Sequence, residues 1–216
     1  MMFSVSDWIK RKCVNAVCDG YSGRAQWDFF KVVLSKPRIK NISVLGVYKG
    51  RDIVYMSAIL KNLDWNEFSL TGVDKFENRY CDDWPQELRN KTWQEAGFGN
   101  PPELDTAREN LRKLNVSSNI HLVQDFAGHF LANTRDSFDL IYIDTAHDYE
   151  STLKIIELAI PKLNPNGFVG GDDFSDQGTW GVESAVKDSF AHFQVFSNWL
   201  WFARDCEFNR KLSPTA

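Results

Sequence analysis

The chain has 216 residues, of which 43% are hydrophobic and 14% aromatic, a composition that excludes a disordered or fibrous protein. This length suits one α/β domain or two small ones, and we expect one. With 25 Lys and Arg residues against 29 Asp and Glu, the net charge is −4 and no basic run is present. This charge pattern argues against a nucleic-acid surface and favours small-molecule chemistry.

Cysteine spacing and hydropathy indicate a cytoplasmic protein. The four cysteines show no CxxC spacing, and the first residues lack the apolar core of a secretory signal. No apolar stretch approaches the ~18 residues that a membrane-spanning helix needs. We therefore expect a reducing cytoplasm and no membrane partner.

Two helical stretches come first in the chain. Ser6 can cap a helix that begins at Asp7, and RAQWDFFKVVL predicts a second helix after the glycine-containing break at 20–23. We expect residues 1–40 to form a helical extension. It would pack across the edge of a sheet or contact a second copy of the chain, as in a homodimer.

Short apolar segments then alternate with amphipathic ones. The predicted strands are ISVLGV, FSLTGVD, IHLVQD, FDLIYID and GFVGGDD, and the predicted helices between them are DIVYMSAILKNL, ELDTARENLRKL and YESTLKIIELAIPKL. This alternation is typical of a doubly wound α/β domain with a mostly parallel sheet. After the helix GVESAVKDSF, the runs FQVFS and WLWFAR predict an antiparallel hairpin or one bulged strand.

The turn GVYKGRD after the first strand predicts a binding site for an adenosine-bearing ligand. Gly46 and Gly50 let the chain turn tightly and bring backbone N–H groups against a ligand at a helix start. Tyr48 replaces the middle glycine of the dinucleotide fingerprint, which makes NAD the weaker candidate. Asp74 ends the second strand, where a carboxylate can accept hydrogen bonds from both ribose hydroxyls.

Aspartates follow the other predicted strands as well. They are Asp125, Asp144 and the adjacent pair Asp172 and Asp173. Each of them could simply cap the next helix or loop. However, ligands of open α/β sheets bind at the carboxyl ends of the strands, and adjacent carboxylates repel each other. Three converging carboxylates suit a hard divalent cation that keeps positions open for water or substrate.

Several of these segments together resemble the class I S-adenosylmethionine-dependent methyltransferases. They are LGVYKG, GVDKF, LVQDF, FDLIYIDTAHDYESTLKIIELAIPKLNPNGFVGGDDF and GVESAVKDSF. The resemblance is to the small O-methyltransferases that include the macrolide-sugar and aminocoumarin-sugar enzymes and, more distantly, catechol O-methyltransferase. It covers about residues 42–204 and implies a Rossmann-like fold with a seven-stranded sheet that ends in the hairpin.

The resemblance also implies which residues bind S-adenosylmethionine. The methionine part would be surrounded by Gly46, Tyr48 and Gly50. The ribose would be held by Asp74, and the adenine would be bordered by Asp125 and Phe126. One position departs from the family. An acidic residue usually stands two places before the first glycine, where this chain has Val44, so the anchor for the methionine ammonium must lie elsewhere or be weaker.

In the metal-dependent members, an aspartate after the fourth strand and a pair after the fifth hold a divalent ion, usually Mg²⁺. They correspond to Asp144, Asp172 and Asp173. His147 stands three places after Asp144, where catechol-type enzymes have a lysine, and it could take the proton from the acceptor. It could equally orient Asp144 or pack beside the cofactor. Asp148 is the alternative base.

The sequence thus predicts a metal-assisted O-methyltransferase that acts on a small hydroxylated metabolite. A nicotinamide-dependent oxidoreductase and a non-catalytic adenosine-binding module remain alternatives. We expect a single domain over residues 1–216 in which the insertion 78–105 forms a lid over the substrate. Trp180 could face the site or only fix its loop. The aromatic residues of the insertion that could line an acceptor pocket, or merely pack the insertion, are Tyr80, Trp84, Trp93 and Phe98.

Overall fold

A computed structural model describes residues 5–36, 39–63, 67–78, 91–97 and 99–209 of the chain. The strands are β1 (Asn41–Leu45), β2 (Ser69–Asp74), β3 (Ile120–Gln124), β4 (Phe138–Ile143), β5 (Leu163–Gly171), β6 (Gln194–Phe196) and β7 (Leu200–Arg204). The α-helices are α1 (Val5–Val17), α2 (Arg24–Leu34), α3 (Arg51–Asn62), α4 (Leu104–Lys113), α5 (Ala127–Asn133), α6 (Tyr149–Ala159) and α7 (Val182–Ser189). In this described part, no helix is long and apolar enough to cross a lipid bilayer.

The strands form one sheet in the order β3-β2-β1-β4-β5-β7-β6. The first five strands of this order are parallel, and β7 pairs antiparallel with both β5 and β6. This confirms the predicted doubly wound, mostly parallel sheet with a C-terminal antiparallel hairpin. The hairpin turns through Ser197 and Asn198, which both have positive φ angles of 53° and 64°. Positive φ at two central residues is typical of the two-residue turns that match strand twist.

Two details of the helices differ from the prediction. Helix α1 begins at Val5 and not after a cap at Ser6, a shift within the usual uncertainty of helix ends. The short helix α5, with seven residues, was not predicted. It shows only about two turns, too few for a helical period to stand out in the sequence.

Each face of the sheet carries its own apolar core. One core joins α2, α3 and α4 to the sheet, and the other joins α5, α6 and α7 to the opposite face. Within the first, Phe29 and Phe30 of α2 are fully buried, with ring centroids 6.1 and 5.0 Å from that of Tyr142 on β4. Burying one such ring stabilises a fold by about 1.5–3 kcal/mol. The second predicted helix therefore packs on a face of the sheet, over the central strand β4, where the prediction had it across the edge of the sheet or in contact with a second copy.

The carboxyl ends of β1, β2, β4 and β5 meet at one edge of the sheet because these strands are parallel. At this edge the turn after β1 and the end of β4 touch. Gly46 has a φ of 91°, and a Cβ atom placed on it would lie 1.6 Å from the carbonyl oxygen of Asp144. Only glycine fits such an approach. The predicted cofactor turn and the predicted metal aspartate are thus neighbours.

Candidate active site

Asp74 holds the glycine turn in shape. Its Oδ2 accepts hydrogen bonds from the backbone N–H groups of Val47 and Tyr48, both at 2.9 Å, and its Oδ1 accepts one from Phe76 at 2.8 Å. A carboxylate has about four lone-pair sites, so these bonds leave about one for a ligand. Asp74 therefore suits one ribose hydroxyl in this conformation, where the sequence suggested both.

Three non-glycine residues at this edge adopt positive φ angles. Tyr48 follows β1 with φ 51°, Phe76 follows β2 with φ 49°, and Asp173 follows β5 with φ 53°. Such conformations cost free energy for residues with a side chain and cluster at functional sites. All three follow strands that end at this edge, which is consistent with a binding site there.

Asp125 and Phe126 lie beside Asp74. The backbone N–H of Asp125 donates to the carbonyl oxygen of Asp74 at 3.0 Å. The Asp125 carboxylate accepts from the Phe126 N–H at 2.8 Å and contacts Nδ1 of His129 at 2.8 Å. The Phe126 side chain is 52% exposed, which is high for an aromatic ring. An exposed ring next to the Asp74 carboxylate is suited to stack on a nucleobase.

The loop between α1 and α2, residues 18–23, packs on the glycine turn, a contact that the sequence did not predict. Arg51 donates through Nε to the carbonyl oxygen of Cys18 and through Nη1 to that of Ser22, both at 2.8 Å. Lys49 pairs with Asp19 at 2.8 Å. The N-terminal extension therefore forms part of the surface around the glycine turn.

Two residues of the insertion, Trp93 and Asn100, reach the same turn, where the Asn100 carbonyl oxygen accepts a hydrogen bond from the Tyr48 hydroxyl at 3.0 Å. The Trp93 ring stacks on Tyr48 with 5.1 Å between centroids, and Tyr21 lies on Tyr48 at 5.6 Å. Tyr48 is thus placed between the N-terminal loop and the insertion. The other aromatic residues singled out in the insertion, Tyr80, Trp84 and Phe98, lie outside the described residues.

Two of the predicted metal ligands gather around His147. Nε2 of His147 lies 2.8 Å from Oδ2 of Asp173 and 3.8 Å from Oδ1 of Asp144. One ligand atom from each of the three residues lies within 4.8 Å of the others, a spacing that could hold a metal ion. Imidazole nitrogen and carboxylate oxygen are both ordinary ligands of divalent cations.

The two carboxylates control the charge of His147. Burial alone would lower the pKa of the imidazole, but its interactions with the negatively charged Asp144 and Asp173 raise that pKa to about 10. Burial raises the pKa of Asp144, and the interaction with His147 opposes that rise. The two carboxylates therefore favour the imidazolium form of His147, which pairs with Asp173.

Asp172 lies just outside this cluster. Its Oδ2 accepts a hydrogen bond from Nε2 of Gln26 on α2 at 3.0 Å, and its Oδ1 accepts one from the Asp173 N–H at 2.8 Å. Burial and the charges of Asp144 and Asp173 raise its pKa to about 7. Its role as a metal ligand remains a prediction, and a ligand role would require its oxygens to turn from Gln26.

Asp148, the alternative base, caps helix α6. Its Oδ1 accepts a hydrogen bond from the Ser151 N–H at 2.9 Å. Since this bond fixes the carboxylate against the helix backbone, Asp148 suits a structural role better than proton transfer.

Asp52 is a residue that the sequence reasoning missed. It lies in the first turn of α3, only 7% exposed, and its Oδ1 is buried without a hydrogen-bond partner. Burial, and then the charge of Asp144, raises its pKa to about 8. The only signal in the sequence was an acidic residue two places after Gly50, a position where helix capping is the ordinary explanation.

Two tryptophans lie beside His147. The Trp180 ring is 5.1 Å from the His147 ring, and Trp199, in the turn between β6 and β7, is 6.4 Å from Trp180 in an edge-on arrangement. Trp199 is 46% exposed. Trp180 therefore faces the site, and the two rings form an apolar surface next to the carboxylates.

The family model described as a methyltransferase domain matches residues 44–174, more than half of the chain. The chain belongs to this methyltransferase family. It is therefore an S-adenosylmethionine-dependent methyltransferase and an enzyme, as the resemblance implied. This result removes the nicotinamide-dependent oxidoreductase and the non-catalytic module from consideration. No curated protein sequence matches the chain significantly.

Solved structures of O-methyltransferases share the methyltransferase fold. The O-methyltransferase NovP has a TM-score of 0.69 and 16% identity over 84% of this chain and 80% of its own. A proposed caffeoyl-CoA O-methyltransferase from Staphylococcus aureus scores 0.59 with 18% identity over 93% and 92%. CalS11, a calicheamicin methyltransferase, scores 0.60 with 16% identity over 94% of each chain. At these identities the likeness shows the fold.

Proposed function

We propose that this methyltransferase transfers the methyl group of S-adenosylmethionine to a hydroxyl oxygen of a small metabolite, with the help of a divalent cation such as Mg²⁺. The observation that carries the proposal is the cluster of Asp144, His147 and Asp173 directly beside the glycine turn. NovP is itself an O-methyltransferase, and CalS11 is a calicheamicin methyltransferase. Their fold likeness supports a small-molecule acceptor.

The residues at the edge of the sheet fit S-adenosylmethionine. Gly46 lets the turn pack directly against Asp144, Asp74 retains a lone-pair site, and Phe126 offers an exposed ring. Methyl transfer needs an acceptor oxygen held in line with the methyl group. Since Gly46 touches the carbonyl of Asp144, an oxygen held at the carboxylate cluster would lie near the methionine end of the cofactor.

The carboxylates Asp144 and Asp173 fit a divalent cation. The geometry of the cluster favours His147 as the third ligand, whereas the family pattern favours Asp172. A bound cation would orient the acceptor hydroxyl and lower its pKa. When Asp144 and Asp173 are neutralised, they no longer raise the pKa of His147, and its imidazole can become neutral. Where Asp172 and not His147 completes the ligand set, a neutral His147 next to the acceptor can take the hydroxyl proton.

The acceptor would lie between His147 and the insertion. Trp180 and Trp199 offer an apolar wall on one side, and Trp93 connects the insertion to the glycine turn on the other. We propose that residues 78–105 form the lid of a single domain and that the surface of Trp180 and Trp199 selects aromatic or sugar-like acceptors.

One observation favours a second version of the reaction without a metal. The imidazolium of His147 already neutralises part of the charge of Asp144 and Asp173. In that version, His147 would hold the site together, and the acceptor hydroxyl would lose its proton to water or to another carboxylate.

Chelation distinguishes the two versions. The enzyme is incubated with S-adenosylmethionine and a panel of phenols, catechols and glycosides, and S-adenosylhomocysteine release is measured with and without EDTA. We expect turnover of at least one acceptor that EDTA abolishes and Mg²⁺ restores, while calorimetry shows unchanged binding of S-adenosylhomocysteine. Full activity in EDTA would select the metal-free version. Tighter binding of NAD than of S-adenosylhomocysteine would contradict the cofactor assignment.

A further inference from the structure

The Asp52 carboxylate is buried in a way that its own neighbours do not explain. A hydrogen bond from Ser22 satisfies part of the carboxylate, but Oδ1 is buried without a partner. The adjacent Arg51 uses Nε and Nη1 for the carbonyl oxygens of Cys18 and Ser22. A buried carboxylate with an unsatisfied oxygen costs free energy unless a ligand completes it.

The charges around Asp52 make the cost larger. The Asp144 and Asp172 carboxylates both act on it electrostatically, and like charges destabilise each other in a partly buried site, an effect that the adjacent Arg51 guanidinium offsets only in part. An acidic residue in the first turn of a helix is ordinarily explained by the positive end of the helix dipole. That explanation suits an exposed side chain, and it leaves both the burial and the unpaired Oδ1 of Asp52 unexplained. A cationic ligand would explain them.

We propose that Asp52 binds the α-ammonium group of the methionine part of S-adenosylmethionine. The inference rests on S-adenosylmethionine being the cofactor. Asp52 is the second residue of α3, two places after Gly50, the last residue of the glycine turn that would surround the methionine part. Val44 is fully buried in β1 and has no group to offer an ammonium. The acid of this site therefore lies on the helix after the turn and not on the strand before it.

The test compares ligands with and without the ammonium group. S-adenosylhomocysteine carries it, an analogue with hydrogen in place of the α-amino group lacks it, and 5′-methylthioadenosine lacks the whole amino-acid part. Asp52→Asn keeps the shape of the side chain and removes the charge. Calorimetry on the protein in EDTA should show that Asp52→Asn weakens S-adenosylhomocysteine binding about 10- to 100-fold, as loss of a charged hydrogen bond implies.

The affinities of the deaminated analogue and of 5′-methylthioadenosine should change less than about twofold in the same variant. Asp136→Asn is the matched control, because it removes an exposed carboxylate just before β4, at the opposite edge of the sheet. It should leave all three affinities unchanged. In the wild-type protein, the deaminated analogue should bind about 10- to 100-fold more weakly than S-adenosylhomocysteine, a comparison that needs no variant to fold.

Other outcomes would overturn the inference. Equal losses for all three ligands would make Asp52 a structural residue, and an unchanged affinity for S-adenosylhomocysteine would place the ammonium elsewhere. If the wild-type protein binds 5′-methylthioadenosine, and binds S-adenosylhomocysteine and the deaminated analogue with equal affinity, the ammonium contact does not exist although adenosine is recognised. Wild-type protein that binds none of the three would overturn the cofactor assignment itself.

Discussion

Replacing the titratable Asp52 carboxyl by an amide should stabilise the ligand-free protein, and by an amount that depends on pH. The pKa of this buried carboxyl is about 8 in the fold, against 3.8 for the free side chain. The folded protein therefore binds a proton that the unfolded chain has already released between these two pH values. In that window each pH unit lowers the stability of the wild-type protein by about 1.4 kcal/mol on account of this one group.

The Asp52→Asn variant has no titratable group at this position, so it does not show this decrease in stability with pH. The free energy of unfolding of the variant minus that of the wild type should grow by about 1.4 kcal/mol per pH unit above about pH 4 and reach about 4 kcal/mol at pH 7. It should level off above about pH 8. Domains have stabilities of about 5–15 kcal/mol, so the effect is a large fraction of the total.

Urea unfolding in EDTA without cofactor, followed by tryptophan fluorescence at pH 5, 6, 7 and 8, measures this difference. Other groups titrate in the same range, among them Asp172 with a pKa raised to about 7. Their contributions cancel to first order in the difference between the two proteins. A change in the hydrogen bond with Ser22 would add a constant offset, so the slope with pH is decisive. A difference that is flat with pH, or that falls as pH rises, would refute this account of Asp52.

Three further outcomes are expected. Gly46→Ala should abolish binding of S-adenosylhomocysteine or prevent folding, because its Cβ would meet the Asp144 carbonyl. Gly97 has a φ of 83° but open space around it, so Gly97→Ala should lower the free energy of unfolding in urea by only about 1–2 kcal/mol. Trp199→Ala should raise the KM for the acceptor without changing the affinity for S-adenosylhomocysteine, as steady-state kinetics and calorimetry would show. If residues 78–105 form a lid, hydrogen exchange in this segment should slow when S-adenosylhomocysteine binds, and equal protection with and without it would indicate a fixed wall.

The parts of this fold that repeat a local pattern could be predicted from sequence. Strand and helix periods differ, so the alternation from Ile42 onward predicted the parallel sheet, and the two β-rich runs around Asn198 predicted the hairpin. The site edge followed from the same pattern, because residues after parallel strands meet at one edge. Helix α5 is too short to show a period, and it was missed for that reason.

Contacts between distant parts of the chain could not be predicted in this way. The loop 18–23 reaches the glycine turn through side chains of Arg51 and Lys49 that bind backbone or charged groups about 30 residues earlier, as the separations of 33, 29 and 30 residues show. No spacing rule links these positions. Asp52 was missed for a related reason: burial of an acidic side chain in the first turn of a helix depends on what packs over it, here the loop with Ser22.

Asp172 shows how one distant contact changes the interpretation of a motif. By the family pattern it belongs with Asp144 and Asp173 as a metal ligand, yet Gln26, 146 residues earlier, donates a hydrogen bond to its Oδ2. A carboxylate that must leave such a partner contributes less to binding of the ion. The geometry therefore predicts unequal roles for the two members of the pair.

Titration of the enzyme with Mn²⁺, followed by electron paramagnetic resonance, measures these roles. Asp173→Asn removes a carboxylate of the cluster and should lower the affinity for Mn²⁺ more than about 100-fold. Asp172→Asn should lower this affinity about tenfold or less, as loss of a supporting contact does. Gln26→Leu provides the complementary change, because it removes the hydrogen bond to Asp172 and frees this carboxylate to turn toward the cluster. It should strengthen metal binding when Asp172 is present and have no such effect in the Asp172→Asn variant. Equal losses for Asp172→Asn and Asp173→Asn would make both of them ligands, and the bond with Gln26 would then have to break whenever the ion binds.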